Sequence, residues 1–467
     1  MTDSPHAGPT TTAPSRTAPS RRTLLKAGLI GGAGVVAGPM LWTQAARSAA
    51  PAAGVHLSYG TNPLRQMNVT WSTAGSVQAP RLDLGVTPDY GLTLQPESVS
   101  SIRVDSVYHH VDLSDLRPGT RYYYRLSHDG GTPTRGSFTT APKSDGSFRF
   151  AAFGDMGVAE DAARNVNLIR QQGAEFAFVV GDIAYADTGG QGKSGEAQQD
   201  FGVWDEFLNQ IQPSANTIPW MTVVGNHEME NGNGELGYDG YRARFHLPGN
   251  GAGGGQETYS FVRGNVAFIA LDGNDATYEY TRNAGYLGAT LDSWLEHRLA
   301  AFRARDDIDF ILVGFHQCAY CTNIAHASDG GIRDRWEALF DRYQVDVVIN
   351  GHNHCYERTH LMRGGKPVQE APRGATVSTN QGTIYITAGG GGGSTYPDVL
   401  PVLSYYTDKN GLKVPEPTTY RAVGDATHSV AFFDAHPRDA HGQARLDLEV
   451  IASDGSAVDT LTIARSR

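Results

Sequence analysis

From Val55 to about Thr140 the chain alternates apolar and polar positions in short runs. Examples are Met67-Asn68-Val69-Thr70-Trp71, Arg81-Leu82-Asp83-Leu84, Tyr108 to Leu113, Tyr122 to Leu126 and Ser137-Phe138. A period of two turns one face of each run to a core and the other to water. Arg117-Pro118-Gly119-Thr120 and Asp129-Gly130-Gly131 supply turns between them. Strands at this spacing with no helical run between them predict an all-β sandwich over residues 54–141. The following Ala141-Pro142-Lys143-Ser144-Asp145-Gly146 has the composition of a linker. Beyond it the runs become almost continuously apolar: Phe148 to Phe153, Phe176 to Val180, Trp220 to Val224, Phe310 to Val313 and Val345 to Ile349. Helical patterns lie between several of them, at about Ala159 to Gln172, Leu291 to Arg305 and Asp334 to Tyr343. Strands buried on both faces and alternating with helices predict an α/β domain over residues 147–467. The tail returns to strands at Val430 to Phe433, Leu446 to Ile451 and Thr460 to Ile463, expected to complete a second sheet. The predicted fold is thus a β-sandwich followed by two mixed sheets flanked by helices, an αββα sandwich.

The first 50 residues have another character. Residues 1 to about 19 are rich in Thr, Pro, Ala and Ser and too poor in large apolar side chains to order themselves. Ser20-Arg21-Arg22-Thr23-Leu24-Leu25-Lys26 then precedes an Ala, Gly, Val and Leu stretch from Ala27 to Trp42, followed by Ser48-Ala49-Ala50. Basic region, apolar core and small-residue cleavage site form the layout of an export signal. The paired arginines and glycine-diluted core resemble the twin-arginine type. A basic amphipathic helix or a membrane anchor fits less well, because the stretch falls short of the ~20 apolar residues that span a bilayer. The expectation is a leader over 1–50 read by the twin-arginine export machinery, no stable membrane anchor, and delivery to periplasm, cell wall or medium.

Charge narrows the partners. Acidic residues number 49 against 38 basic, and without the leader the balance is 48 against 33, a net charge of −15. Such a field disfavours nucleic acid as a partner and obliges any phosphate-bearing ligand to find local positive charge. Only three cysteines, Cys318, Cys321 and Cys355, exclude a disulfide-built scaffold and a four-thiolate zinc ribbon.

Five of the apolar strands end in polar residues: Gly154-Asp155, Gly181-Asp182 with Tyr185, Gly225-Asn226-His227-Glu228, His316, and Gly351-His352-Asn353-His354. Taken singly, each tip reads as a turn. Together they offer hard oxygen and imidazole donors at the carboxyl ends of strands, where α/β folds assemble sites, in a set suited to two transition metals. His352 and His354 are two apart and face the same way in extended chain. Of the 50 glycines beyond residue 50, 18 fall in three stretches, 189–195, 232–255 and 389–393, each after one of the site-proximal strands. Those loops are expected to set substrate choice.

Asp155-Met156-Gly157, Gly181-Asp182-Ile183-Ala184-Tyr185, Gly225-Asn226-His227-Glu228, Val313-Gly314-Phe315-His316 and Gly351-His352-Asn353-His354 follow in order the pattern DxG, GDxxY, GNH(E/D), VxxH, GHxH. In this the chain resembles the purple acid phosphatases of the metallophosphoesterase superfamily. The β domain is similar to the fibronectin type III-like domain of the high-mass members, and Leu116 to Tyr124 resembles the segment where a tyrosine closes the corner between sheets. The resemblance implies that Asp155, Tyr185 and His354 bind one metal, that Asn226, His316 and His352 bind the other, and that Asp182 bridges them. Ordinary superfamily members carry a histidine where Gly157 stands. Here Tyr185 takes over, and a phenolate favours iron(III). The implied cofactor is therefore Fe(III) with a divalent Fe, Zn or Mn, whose charge exceeds that of the three anionic ligands. The implied reaction is hydrolysis of a phosphate monoester by a metal-bound hydroxide, without a phosphoenzyme and with an acidic optimum.

The resemblance extends to neighbouring residues. His227, beside Asn226, is expected to contact phosphate or protonate the leaving oxygen, with Glu228 orienting its ring. His326 matches one of the family's outer histidines, or is a solvated loop histidine. The segment His316-Gln317-Cys318-Ala319-Tyr320-Cys321 departs from the small-residue and proline stretch of plant-type enzymes. Its C-x-x-C reads as a disulfide, a redox pair or two inert thiols, the disulfide being favoured, while Cys355 is expected to face the core. Gly389 to Gly393 resembles the family's glycine segment and reads as site lining or as a plain loop. Arginines near the metals, such as Arg358, are expected to help draw in the phosphate ester. Two other functions compete: a phosphodiesterase or phospholipase on the same dimetal site, and a surface binding protein with a relic catalytic domain. Retention of all seven ligand positions disfavours the second.

Overall fold

Alternation becomes sheet at the front of the chain. The computed structural model describes residues 50–143, 146–190, 199–396 and 403–466, so the expected leader lies outside the described residues. One antiparallel sheet of the sandwich runs Ala53–Tyr59, Met67–Thr73, Val107–Leu113, Glu97–Ser100, and the other Leu92–Leu94, Arg81–Gly85, Arg121–Ser127, Thr134–Thr139. Trp71, Leu82, Tyr108, Tyr124, Leu126 and Phe138 fill the space between them. The Tyr122 hydroxyl accepts the Arg117 N–H at 2.9 Å, closing the corner. The strands Leu92–Leu94 and Glu97–Ser100 are short and mostly exposed, with too few apolar positions to mark a period.

The α/β part holds two seven-stranded mixed sheets. Trp220–Val223, Ala177–Val180 and Phe148–Phe153 lie parallel at one end of the first. The tail strands Ser429–His436, Gln443–Ala452 and Ala457–Ser466 extend that same sheet, with Ser429–His436 pairing antiparallel to Phe148–Phe153. The tail therefore enlarges the sheet that begins the domain. The second sheet is ordered Tyr259–Arg263, Val266–Ala270, Phe310–Gly314, Val347–Asn350, Ile384–Ala388, Tyr356–Thr359, Arg421–Asp425.

Continuous apolarity in these strands follows from packing on both faces. Phe310 and Leu312 look into the core shared by the two sheets, whereas Ile311 and Val313 join a separate cluster. That outer cluster includes Leu291, Leu295 and Leu299 of the helix Ala289–Arg303, a spacing of four that keeps one helical face inward. On the far side of the first sheet, the helix Glu160–Gln171 buries Ala162, Val166 and Ile169. Between the sheets, Phe268 meets Phe150 and Phe176 edge to face at 5.1 and 5.2 Å. The helix predicted at 334–343 is helical over 330–342 and widens to a π turn at Arg333–Glu337. Among the described residues no helix is long and apolar enough to cross a membrane.

The sandwich meets the α/β part along a polar seam. Tyr108 donates to Asp205 at 2.9 Å, Tyr124 to the Asn216 carbonyl at 2.7 Å and Asn68 to the His246 carbonyl at 2.7 Å. The His56 Nε2 lies 2.9 Å from the Arg244 carbonyl.

Candidate metal centre

The five polar strand ends converge between the sheets. Asp155, Asp182, Tyr185 and Asn226 arrive from the first sheet, and His316, His352 and His354 from the second. The approach is close enough to require glycine: a Cβ at Gly225 would stand 2.2 Å from Asp182 Oδ1, and one at Gly351 would stand 2.5 Å from Asp155 Oδ2. Asp155, Asp182, Tyr185 and His352 take left-handed backbone, with φ of 60°, 49°, 59° and 70°. Non-glycine residues seldom adopt that conformation, and its use at four of the seven candidate ligands lets the chain turn sharply off each strand.

Donor atoms crowd into one buried space. His316 Nε2 lies 2.9 Å from Asp182 Oδ2 and 3.8 Å from Asp155 Oδ1. His352 Nδ1 is 3.3 Å from His316 Nε2. His354 Nε2 is 2.9 Å from the Tyr185 hydroxyl and 3.4 Å from Asp155 Oδ1. The opposite ring nitrogens are held from behind: His316 Nδ1 by the Val180 carbonyl at 2.8 Å, and His354 Nδ1 by the Ser394 carbonyl at 2.7 Å. A carbonyl can only accept, so each Nδ1 donates a proton and each Nε2 is the nitrogen turned inward, where a cation can take the place of any proton it carries. Asn226 Oδ1 is buried without a hydrogen-bond partner, the state expected of an oxygen donor meant for a cation.

Electrostatics agree with the donor chemistry. Burial lowers the His316 imidazole, but Asp182 and Asp155 outweigh it and raise it to about 10. The same negative field would hold a cation. Burial works to raise the Asp182 carboxyl, yet His316 and His227 draw it well below the usual carboxylate range. Burial, then the charges of Asp155 and Asp182, push the Tyr185 phenol well above its ordinary value, so a phenolate there needs a cation beside it. The residues present fit two metal ions.

His227 lies at the edge of this cluster. Its Nε2 is 3.8 Å from Asp182 Oδ2, its Nδ1 is 2.6 Å from the Asp187 carbonyl, and its ring packs on Tyr185 at 4.5 Å. Asp187, not Glu228, orients the ring. The Glu228 carboxylate instead accepts the N–H groups of Asp182, Ile183 and Gly225 at 2.9, 2.9 and 2.7 Å, tying two ligand loops together. Burial and the nearby Asp182 raise it to about 8. His326 packs against the His352 ring, centroids 4.0 Å apart and planes tilted by 34°.

Other expectations need correction. Arg358 is fully buried and paired with Asp459 at 2.6 Å, so it is unavailable to substrate. Cys318, Cys321 and Cys355 are free, buried thiols in one cluster, with Cys318 Sγ donating to the Gly351 carbonyl at 2.8 Å. The glycine segment lies against the site: the Gly391 and Gly393 N–H groups donate to the carbonyls of Gly154 and Asp155 at 2.9 and 2.8 Å. Three neighbours escaped sequence reasoning. Tyr396 stacks on His354 at 4.4 Å, Tyr280 meets His352 edge-on at 5.3 Å, and Glu279 contacts His352 and His326 at 3.0 and 2.9 Å. They lie in loops with neither period nor motif, and only the fold brings them to the histidines.

Known proteins resemble this chain over most of its length. Residues 148–356 match the calcineurin-like phosphoesterase family, and residues 52–140 match the purple acid phosphatase N-terminal domain. An uncharacterized protein of Mycobacterium tuberculosis is 34% identical over 402 residues, covering 78% of this chain and 74% of that protein. Purple acid phosphatase 21 of Arabidopsis thaliana is 31% identical over 346 residues, covering 72% of this chain and 71% of that protein. Acid phosphatase type 7 of Homo sapiens is 30% identical over 371 residues, covering 74% and 79%. Among solved structures, the purple acid phosphatase from yellow lupin seeds shares the fold with a TM-score of 0.70 at 22% identity, over 89% of this chain and 75% of that one. The chain belongs to the purple acid phosphatase family, phosphoesterases of the acid phosphatase type that use a dimetal centre.

Proposed function

We propose that this chain is an exported acid phosphatase that hydrolyses phosphate monoesters, with Fe(III) and a divalent Fe, Zn or Mn as its metals. The observation that carries the reading is the convergence of seven donor side chains, in which Tyr185 stands against Asp155 and His354 while Asn226 Oδ1 is buried and unpartnered. In this reading Asp155, Tyr185 and His354 hold the iron, Asn226, His316 and His352 hold the divalent ion, and Asp182 lies between them. Bound there, the two cations would acidify a water molecule and neutralise phosphate oxygens. The chain's own residues do the rest. Val180 and Ser394 carbonyls keep two ligand imidazoles in the tautomer that faces inward. The Asp187 carbonyl holds His227 Nδ1–H, which leaves Nε2 to carry the proton toward a leaving alkoxide.

Export is supported by the leader pattern alone. One experiment addresses all parts: produce the full chain in a host with a twin-arginine pathway, fractionate, and purify the protein. The expected outcome is enzyme outside the cytoplasm, two metals per chain, a visible tyrosinate-to-iron absorption lost in Tyr185→Phe, and faster hydrolysis of a monoester than a diester. A fully metallated protein without that absorption would refute the iron(III) assignment. Preference for the diester would favour the phosphodiesterase reading.

A further inference from the structure

Glu279 belongs to none of the family motifs, yet its side chain reaches two histidines of the site. Its loop is fixed from below: the Tyr278 N–H donates to Asp329 at 3.1 Å, and the Glu279 N–H donates to Thr277 Oγ1 at 3.0 Å. The carboxylate then divides its two oxygens. Oε2 lies 3.0 Å from His352 Nε2, and Oε1 lies 2.9 Å from His326 Nδ1. An ionised carboxylate only accepts, so both nitrogens donate. For His352 that leaves Nδ1 without a proton, pointing at the His316 side of the cluster. For His326 it leaves Nε2 on the Tyr396 side, 3.4 Å from that hydroxyl. Loss of the carboxylate would allow the His352 proton to move to Nδ1, where it blocks a lone pair, and would free the His326 ring to turn.

We propose that Glu279 is the positioning residue of this site: one carboxylate holds His352 in the tautomer a cation needs and fixes His326 beside it. The assignment rests on the dimetal reading and on His352 as a ligand of the divalent ion. Carboxylates that orient a ligating histidine change metal affinity or activity by about 10- to 100-fold when removed.

The test uses the metal-loaded full chain and measures divalent metal retained per molecule during exposure to a chelator, alongside the visible absorption. Glu279→Ala is expected to lose the divalent ion about 10- to 100-fold faster than wild type while keeping iron, because Asp155, Tyr185 and His354 are not contacts of Glu279. Glu279→Gln keeps the shape but can accept from only one imidazole N–H, and its loss rate should fall between the two. Wild-type retention in both variants would overturn the role of Glu279. His352→Ala separates the two claims. If it too retains the divalent ion, the dimetal reading fails. If it alone loses the ion, only the role of Glu279 fails.

Discussion

At the residue scale, the site is built from unusual conformations as much as from unusual residues. Left-handed backbone at Asp155, Asp182, Tyr185 and His352 costs of order 1–3 kcal/mol each, and such strain gathers at functional sites. His227 differs from these in having one face open to the site edge and one nitrogen anchored on Asp187. His227→Ala is expected to lower kcat by roughly 10²- to 10⁴-fold with both metals retained, and to do so more on an unactivated alkyl ester than on an aryl ester with a good leaving group. An unchanged kcat on both esters would remove His227 as the acid. Its ring neighbour was misread from the sequence for a simple reason: Glu228 is adjacent in the chain, but the strand end turns its carboxylate back onto three N–H groups.

At the scale of elements, the seam between the sandwich and the α/β part concentrates buried histidines. His110 Nδ1 meets Thr70 at 3.0 Å, its Nε2 meets the Ala243 carbonyl at 3.1 Å, and its ring stacks on His246, which pairs with Asp112 at 2.6 Å. Burial, then His246 and His56, lower His110 to about 3, and burial lowers His109, which faces the sandwich interior against Trp71, to about 4. Both stay neutral in the fold while the unfolded chain protonates below its ordinary value of about 6.5. Their contribution is therefore complete above pH 6.5 and is lost progressively as pH falls toward the folded values. At pH 5 each histidine should cost about 1–2 kcal/mol relative to pH 7. The measurement is denaturant unfolding of wild type and His110→Gln at both pH values. Carboxylates elsewhere affect both proteins alike, so a difference between them that does not change with pH would refute the assignment. The strands of this seam were legible from their alternation, whereas the partners of their polar faces, such as Asp205 for Tyr108, were not, because no local period encodes a contact across two domains.

At the scale of the whole molecule, buried ion pairs bind one sheet to the other. Arg358 from the second sheet reaches Asp459 of the first with two nitrogens at 2.6 and 3.2 Å, and Tyr356 adds a bond to the same carboxylate at 2.7 Å. Arg358→Ala would leave Asp459 buried and uncompensated, and should lower unfolding free energy by about 3–5 kcal/mol. Metal content per folded molecule should be unchanged. A fall in metal content at unchanged stability would return Arg358 to the site. The sequence by itself determined the kinds of element, their order, and the five polar tips, because hydrophobic period and strand-end chemistry are local properties. Tertiary structure alone decided that three tips come from one sheet and two from the other, and that the tail joins the first sheet. It alone turned Arg358 inward and brought Glu279 to His352. Those outcomes depend on which strands pair and which faces meet, and residues far apart in the chain leave no periodic trace of either.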